Sequence, residues 1–326
     1  MMILKTILQT DTTMADIGAR KAHAPKWAPL LKGMVLGMLI LQASGCVKIP
    51  EQNLVISHRN PLETKKAAAE CPDACPVKSV NALYGPFNPD NKPSLNADGF
   101  RLVSWNIYKG KIDGWSKDLK HLSRDTDIII LQEAYLSDQL KEMLRMGAYH
   151  WDMTAAFEYH RVESGVLTAS RTAPNFSCAF RAMEPIIRIP KSVLITRYPM
   201  SGTDRELLVA NIHGVNFTLG HDAFIRQAER LEKVLAAHTG PTIVSGDFNT
   251  WNPARMARVN AMAERLGLVP VRFKQNRRAQ FLGQPIDHVY YRGLEARNAA
   301  VPDVATSDHN PLMVEFRLAD EPDTGI

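Results

Sequence analysis

The sequence predicts an α/β (α+β) layered domain, and three observations point there. Short apolar runs recur at spacings that suit strands, segments of helical period lie between several of them, and polar residues with catalytic chemistry gather where the runs end. The chain has 326 residues, 45% of them apolar and 22% charged, which excludes collagen-like, disordered and polytopic membrane classes. Four cysteines are too few for a disulfide scaffold.

Taken in order, residues 1–45 read as a leader. Basic residues end at Lys32, an apolar run covers 34–41, and Ala43, Ser44 and Gly45 precede Cys46. The run is shorter than the ~20 residues of a membrane span and has the layout of an export signal. Small residues before a cysteine resemble the bacterial lipobox, with Ala43 where that motif usually has leucine, so Cys46 is the expected lipidation site. The expectation is an exported, membrane-tethered lipoprotein, with a cytoplasmic protein as the alternative. Residues 46–98 show no sustained periodicity and contain seven prolines, and they read as a tether. A disulfide among Cys71, Cys75 and Cys178 fits an oxidising compartment, with the pairing open.

The folded unit is expected over 99–318, with 319–326 as a tail. Strands are expected at 100–107, 128–131, 165–169, 193–196, 207–212, 243–245, 289–291 and 312–316. The clearest helix is 222–237, with Phe224, Ala228, Leu231, Val234 and Leu235 on one face; 251–266 and 137–144 are weaker. The strand ends carry Trp105-Asn106, Gln132-Glu133, Asn211-Ile212-His213 and Gly246-Asp247-Phe248-Asn249. Asp287-His288 opens the penultimate strand, and Ser307-Asp308-His309-Asn310 precedes the last. Each piece alone is weak, because an Asp-x-Asn is usually a turn and a strand-end histidine usually a hydrogen-bonded core residue. Six in one order are hard to attribute to chance.

This ordered set resembles the endonuclease/exonuclease/phosphatase superfamily of DNase I-like fold, and residues 105–109, 211–217 and 307–312 look most like its bacterial YafD-like branch. The resemblance implies a four-layer sandwich of two packed mixed β-sheets flanked by helices, acting as a monomeric phosphodiesterase. It implies that Asp247 orients or deprotonates water, Asn249 positions the phosphate or the base, and His309, held by Asp287, stabilises the developing charge, with His213 contacting the phosphate and acting as a second acid. Glu133 and Asn106, with Asp308, suit Mg²⁺, or Mn²⁺ in its place, because hard oxygen donors suit such cations. Tyr108 stands where several relatives have an acidic residue that assists the metal. His160, Ser164, Thr168 and Arg197 are secondary candidates.

The formal charge of +5 says little by itself, since five bases and two acids belong to 1–45. Between Arg255 and Arg278 there are seven bases and one acid, directly after the Asp247/Asn249 motif. Arg255, Arg258 and Arg277 are therefore candidate phosphate ligands, and nucleic acid is the favoured substrate. Lipid or small-molecule phosphoesters are the alternative, and a non-catalytic binding lipoprotein is a third reading. The competing explanation for the arginines is a solvated helix face.

Overall fold

A computed structural model describes residues 47–59, 63–71, 94–218 and 220–320. The leader with Cys46, and Cys75, lie outside the described residues.

Apolar residues alternate along the central strands, so each strand presents one face to each side. β4 (Phe100–Asn106) and β5 (Ile128–Tyr135) are parallel, joined across α1 (Trp115–Leu122); β10 (Glu206–His213) and β11 (Thr242–Asp247) repeat this arrangement across α3 (Asp222–Ala236). Parallel neighbours need such a crossover. The first pair sits in a nine-stranded sheet with β1 (Val47–Lys48), β2 (Leu54–Arg59), β3 (Glu63–Ala68), β6 (His150–Tyr159), β7 (Val162–Ser170), β16 (Leu294–Ala300) and β17 (Leu312–Leu318). Its order is β16-β17-β4-β5-β7-β6-β2-β3, with β1 on β6. The second sheet runs β12-β15-β11-β10-β9-β8, using β8 (Phe176–Met183), β9 (Pro190–Pro199), β12 (Val269–Pro270) and β15 (Asp287–Arg292). A small hairpin pairs β13 (Gln280–Phe281) with β14 (Gln284–Pro285).

Three hydrophobic clusters define the layers. Leu102, Ile130, Val209, Ile243, Val289 and Val314 meet between the two sheets. Val103, Ile129 and Leu131 on the other face of the large sheet pack on Leu119 of α1 and Leu140 of α2 (Asp138–Met146). Leu208 and Val244 pack on Leu231 of α3 and on Val259 and Met262 of α4 (Pro253–Arg265). The result is the expected four-layer sandwich. The helices start at local signals: the Ser137 hydroxyl accepts from Leu140 N, and Asn252, followed by Pro253, accepts from Arg255 N.

The tether expectation for 46–98 needs correction at 47–59 and 63–71; residues 72–93 lie outside the described residues. β2 and β3 extend the large sheet, with Val55 opposite Thr154 on β6. Arg59 holds both oxygens of the fully buried Asp152 at 2.9 Å, and Cys71 forms a disulfide with Cys178 on β8. The short run Leu54-Val55-Ile56 supplies the buried face of β2, whereas β3 is a polar edge strand with almost no apolar signal. Strands β6 and β8 and helix α1 were not expected from the sequence either.

Candidate active site

The inward face of each central strand changes from apolar to polar toward one end. On β10 it reads Leu207, Val209, Asn211, His213; on β11 Ile243, Ser245, Asp247; on β4 Leu102, Ser104, Asn106; on β5 Ile128, Ile130, Gln132. The chemistry therefore lies in the cleft between the sheets, beyond their shared apolar core. Register sharpens this: His213 pairs with Asp247, and Asp247 with Asp287, so one cross-strand row places all three on the same face. Backbones approach closely here. A Cβ at Gly246 (φ +140°) would lie 2.1 Å from Ile212 O, and one at Gly214 2.4 Å from Phe248 O, so neither position admits a side chain.

Hydrogen bonds tie the sheets together across the cleft. Gln132 Nε2 donates to Asn211 Oδ1 (2.9 Å), and Asn211 Nδ2 donates to Leu167 O (2.9 Å) and Leu131 O (3.1 Å). Asn106 Nδ2 donates to Asp247 Oδ2 at 3.2 Å. The Ser307 hydroxyl donates to Asn106 O (2.6 Å), and Trp105 Nε1 to His309 O (2.9 Å), which fixes the last motif against the first strand.

His309 Nδ1 lies 2.7 Å from Asp287 Oδ2, and its Nε2 4.0 Å from Asp247 Oδ2. Burial alone would depress the imidazole, but Asp287, Asp308 and Asp247 hold it well above its ordinary value. This is an imidazole oriented by one carboxylate with its other nitrogen facing the reacting space. Asp247 is pushed up to about 7 by burial, with His309 acting against the rise and Asp287 adding to it. Asn249 sits at φ 53°; its N–H donates to Asp247 Oδ1 and its Nδ2 to Gly214 O, both at 2.9 Å. Neighbouring His288 is a satisfied core residue, lowered to about 3 by burial and Arg278, with Thr250 Oγ1 at 2.7 Å.

His213 differs from its expected role as a second acid. Lys191 Nζ approaches its Nε2 at 2.8 Å, and an ammonium only donates, so Nε2 is an acceptor and the ring is neutral. Burial and then Lys191 hold His213 well below its ordinary value, so it positions rather than donates a proton. Lys191 itself was missed from the sequence, because a lysine near the start of a strand carries no signal until its neighbours are known.

Glu133 interrupts β5 at an irregularity between Leu131 and Ala134, with φ 50°. It is ion-paired with Lys109. Burial would raise its carboxyl, but Lys109 and Lys191 hold it far below the carboxylate range. Asp308 is raised by burial, with Glu133 adding to the rise, so these two carboxylates sense each other. Glu133 is paired with the Lys109 ammonium, and the carboxylates of Glu133 and Asp308 with the Asn106 amide oxygen are ligand types that a hard divalent ion takes. Asp247, Asp287 and His309 also bring potential ligand atoms within 4.8 Å of one another. The short His309–Asp287 bond occupies that imidazole nitrogen and favours a proton-transfer role for the group.

The arginine expectation is overturned in part. Arg255 is fully buried: it donates to Val215 O, Asn249 O, Asn216 O and Thr218 Oγ1 at 2.7–3.0 Å and lies 4.5 Å from the Trp251 ring centroid. Its position in the first turn of α4 directs it at the loop after β10 rather than at solvent. Arg258 pairs with Glu229 and Arg265 with Glu232, both on α3. Arg277 is exposed and near the site, since its carbonyl accepts from Asn310 Nδ2. Among the secondary candidates, Thr168 and Ser164 are buried strand residues, and Thr168 Oγ1 accepts from Asn211. His160 meets the Tyr159 ring edge-on in a turn. Arg197 pairs with Glu206, at the end of β10 remote from His213.

The sequence profile of the Endonuclease/Exonuclease/phosphatase family matches residues 103–309. A UPF0294 protein of Vibrio cholerae serotype O1 is 42% identical over 226 residues, covering 69% of this chain and 80% of the relative. The human Nocturnin catalytic domain with bound sulfate superposes with a TM-score of 0.52 at 16% identity, over 70% of this chain and 97% of that one. A mannosyl-6-phosphatase of Bacteroides thetaiotaomicron gives 0.52 at 19%, over 67% and 99%. At these identities the two structures bear on the fold.

Proposed function

The chain belongs to the Endonuclease/Exonuclease/phosphatase family, and from that premise we propose that it hydrolyses phosphodiester bonds, with nucleic acid the favoured substrate. The observation that carries this reading is the buried set of Asp247, Asp287 and His309 at one end of the inter-sheet cleft, a base and a carboxylate-oriented acid side by side. Asp247 takes a proton from water as its oxygen attacks phosphorus. His309 Nε2–H delivers a proton to the leaving oxygen as its bond to phosphorus breaks, and Asp287 holds the ring in the tautomer and orientation this requires. Asn106 orients the Asp247 carboxylate, and in this reading Asn249 and Lys191, beside Asp247 and His213, receive the phosphoryl oxygens. A divalent cation, Mg²⁺ or Mn²⁺, held by Glu133 with Asn106 and Asp308, would neutralise charge on those oxygens.

Hydrolysis of lipid or small-molecule phosphoesters is the second reading. It is favoured by the arginines themselves, since Arg255 is buried and Arg258 and Arg265 are paired with Glu229 and Glu232, which leaves a weaker basic surface than the sequence suggests. Incubation of the purified chain with Mg²⁺ or Mn²⁺ and a panel of DNA, RNA and phospholipids separates the two. Cleavage of DNA or RNA is expected. Activity confined to phospholipid overturns the substrate, and no activity above an Asp247→Ala control on any phosphoester overturns the hydrolase.

An exported protein anchored through Cys46 remains our proposal for its location. The Cys71–Cys178 disulfide supports it, because such bonds persist in oxidising compartments. Palmitate labelling that disappears in Cys46→Ser is the expected result; unlabelled protein in the cytosol contradicts it.

A further inference from the structure

Beside Asn249 the site opens into a cavity of about 190 Å³. Phe217, Trp251 and Phe281 line it, with Ile186 and Ile286. The Trp251 and Phe281 rings stand nearly perpendicular, at 80° with centroids 6.3 Å apart, so they form a corner rather than a slot. Three amide or hydroxyl side chains, Asn216, Thr218 and Asn249, complete the lining.

The wall is held in place from both sides. Glu184, fully buried, accepts from Asn216 N (2.6 Å) and Phe217 N (3.3 Å). Arg255 grips the carbonyls of Val215 and Asn216 from the other side, and its guanidinium stacks under the Trp251 ring. The Asn216 peptide is thus clamped between a buried carboxyl group and a buried guanidinium. Such an arrangement fixes the cavity before any ligand arrives, which lowers the cost of binding. The arginine that the sequence suggested as a phosphate ligand instead shapes a neighbouring subsite.

We infer that this cavity receives a nucleobase carried on the group esterified to the reacting phosphate. The inference rests on the phosphodiesterase reading and deepens it by naming what the substrate carries. Volume selects among occupants: pockets that enclose a whole small ligand run to roughly 300–1,000 Å³, so this one suits a single ring system. Aromatic walls offer stacking to a flat ring, and the Asn216 amide offers a donor and an acceptor to its edge. Thr218 and Asn249 are already engaged within the protein, so the Asn216 amide is the group that an acyl chain would cover without bonding, which is unfavourable. Asn249 is shared by the cavity wall and the phosphate site, so base and phosphate would be read together.

Isothermal titration calorimetry of the full chain with adenosine 5′-monophosphate and with ribose 5-phosphate isolates the ring, because the second probe carries an anomeric hydroxyl where the first carries its base. The base is expected to tighten binding about tenfold or more. Phe281→Ala, on a surface hairpin outside the core clusters, is expected to remove that difference, and Phe281→Tyr to keep it. Ile186→Trp, which fills the cavity from its exposed rim, is expected to weaken only the nucleotide. Equal affinities for the two probes in the wild type, or tighter binding of decyl phosphate than of the nucleotide, overturn the inference. Hydrolysis of bis(p-nitrophenyl)phosphate is followed on the same preparations. If it persists while the base preference is absent, the subsite alone is wrong; if it is absent throughout, the hydrolase reading fails while the calorimetry still decides the subsite.

Discussion

Replacing Arg255 with methionine separates the two roles that a basic residue beside a phosphoesterase site can play. Methionine keeps an apolar stem of similar reach, and the Asn252 cap on Arg255 N is unaffected. The change removes four guanidinium hydrogen bonds, three of them to carbonyls of the loop after β10 and the Asp247/Asn249 turn. It also removes one positive charge from the surroundings of fully buried Glu184, on which Lys191 acts more strongly. Leaving a buried carbonyl without its donor costs about 1–3 kcal/mol, and the three orphaned carbonyls act in the same direction without adding in full, for a total of about 3–5 kcal/mol. For a domain of this size that is a fall in Tm of roughly 6–20 °C. Differential scanning calorimetry reads the change, with Arg258→Ala as the control: its partly exposed pair with Glu229 is expected to contribute under about 1 kcal/mol. An Arg255→Met protein with unchanged Tm, but with substrate binding that weakens and loses salt dependence, would refute this reasoning and restore Arg255 as a phosphate ligand.

Other consequences follow from the same geometry. Activity is expected to rise with pH through about 7 as Asp247 loses its proton, and to fall at higher pH as His309 loses its own; the two limbs belong to the interacting pair. Asp287→Asn is expected to bring the alkaline limb down in a pH–rate profile, and an unmoved limb would remove Asp287 from the mechanism. Because folding raises His309, its contribution to stability is full below about 6.5 and is lost as pH rises through the folded value; thermal melts across that range check the sign. Lys191→Met is expected to move the His213 imidazole up toward its ordinary range, followed by NMR titration; an unchanged titration would mean that burial alone controls this histidine. Reduction of Cys71–Cys178, whose partners are 107 residues apart, is expected to destabilise the protein by about 2–5 kcal/mol in denaturant melts with and without reductant.

The site was more legible in the sequence than the edges of the fold. Asn106, Asp247, Asp287 and His309 could be read because each stands where an apolar run ends, and the alternation along β4 and β11 fixes which face they share. Lys191 and Glu184 could not, since their roles exist only through contacts across the fold. Arg255 was misread for a related reason: its three- and seven-residue spacings to Arg258 and Arg265 describe one helix face, but the first turn of α4 abuts the loop after β10. The hairpin β2–β3 was hidden because an edge strand such as Glu63–Ala68 is polar on purpose-built grounds of solubility and buries little that a hydrophobic pattern would reveal. β6 mixes small, polar and aromatic residues inside a sheet covered on both faces, so it lacks the clean alternation of a half-buried strand.

The most direct test of the central claim is the rate of bis(p-nitrophenyl)phosphate hydrolysis by the purified chain with Mg²⁺ or Mn²⁺, alongside Asp247→Ala and His309→Ala. If Asp247 and His309 are the base and acid of this site, the wild type hydrolyses the diester and each variant loses at least about 100-fold in kcat, as loss of a general acid or base does. Wild-type turnover no faster than that of the two variants, which remain folded by circular dichroism, would contradict the account.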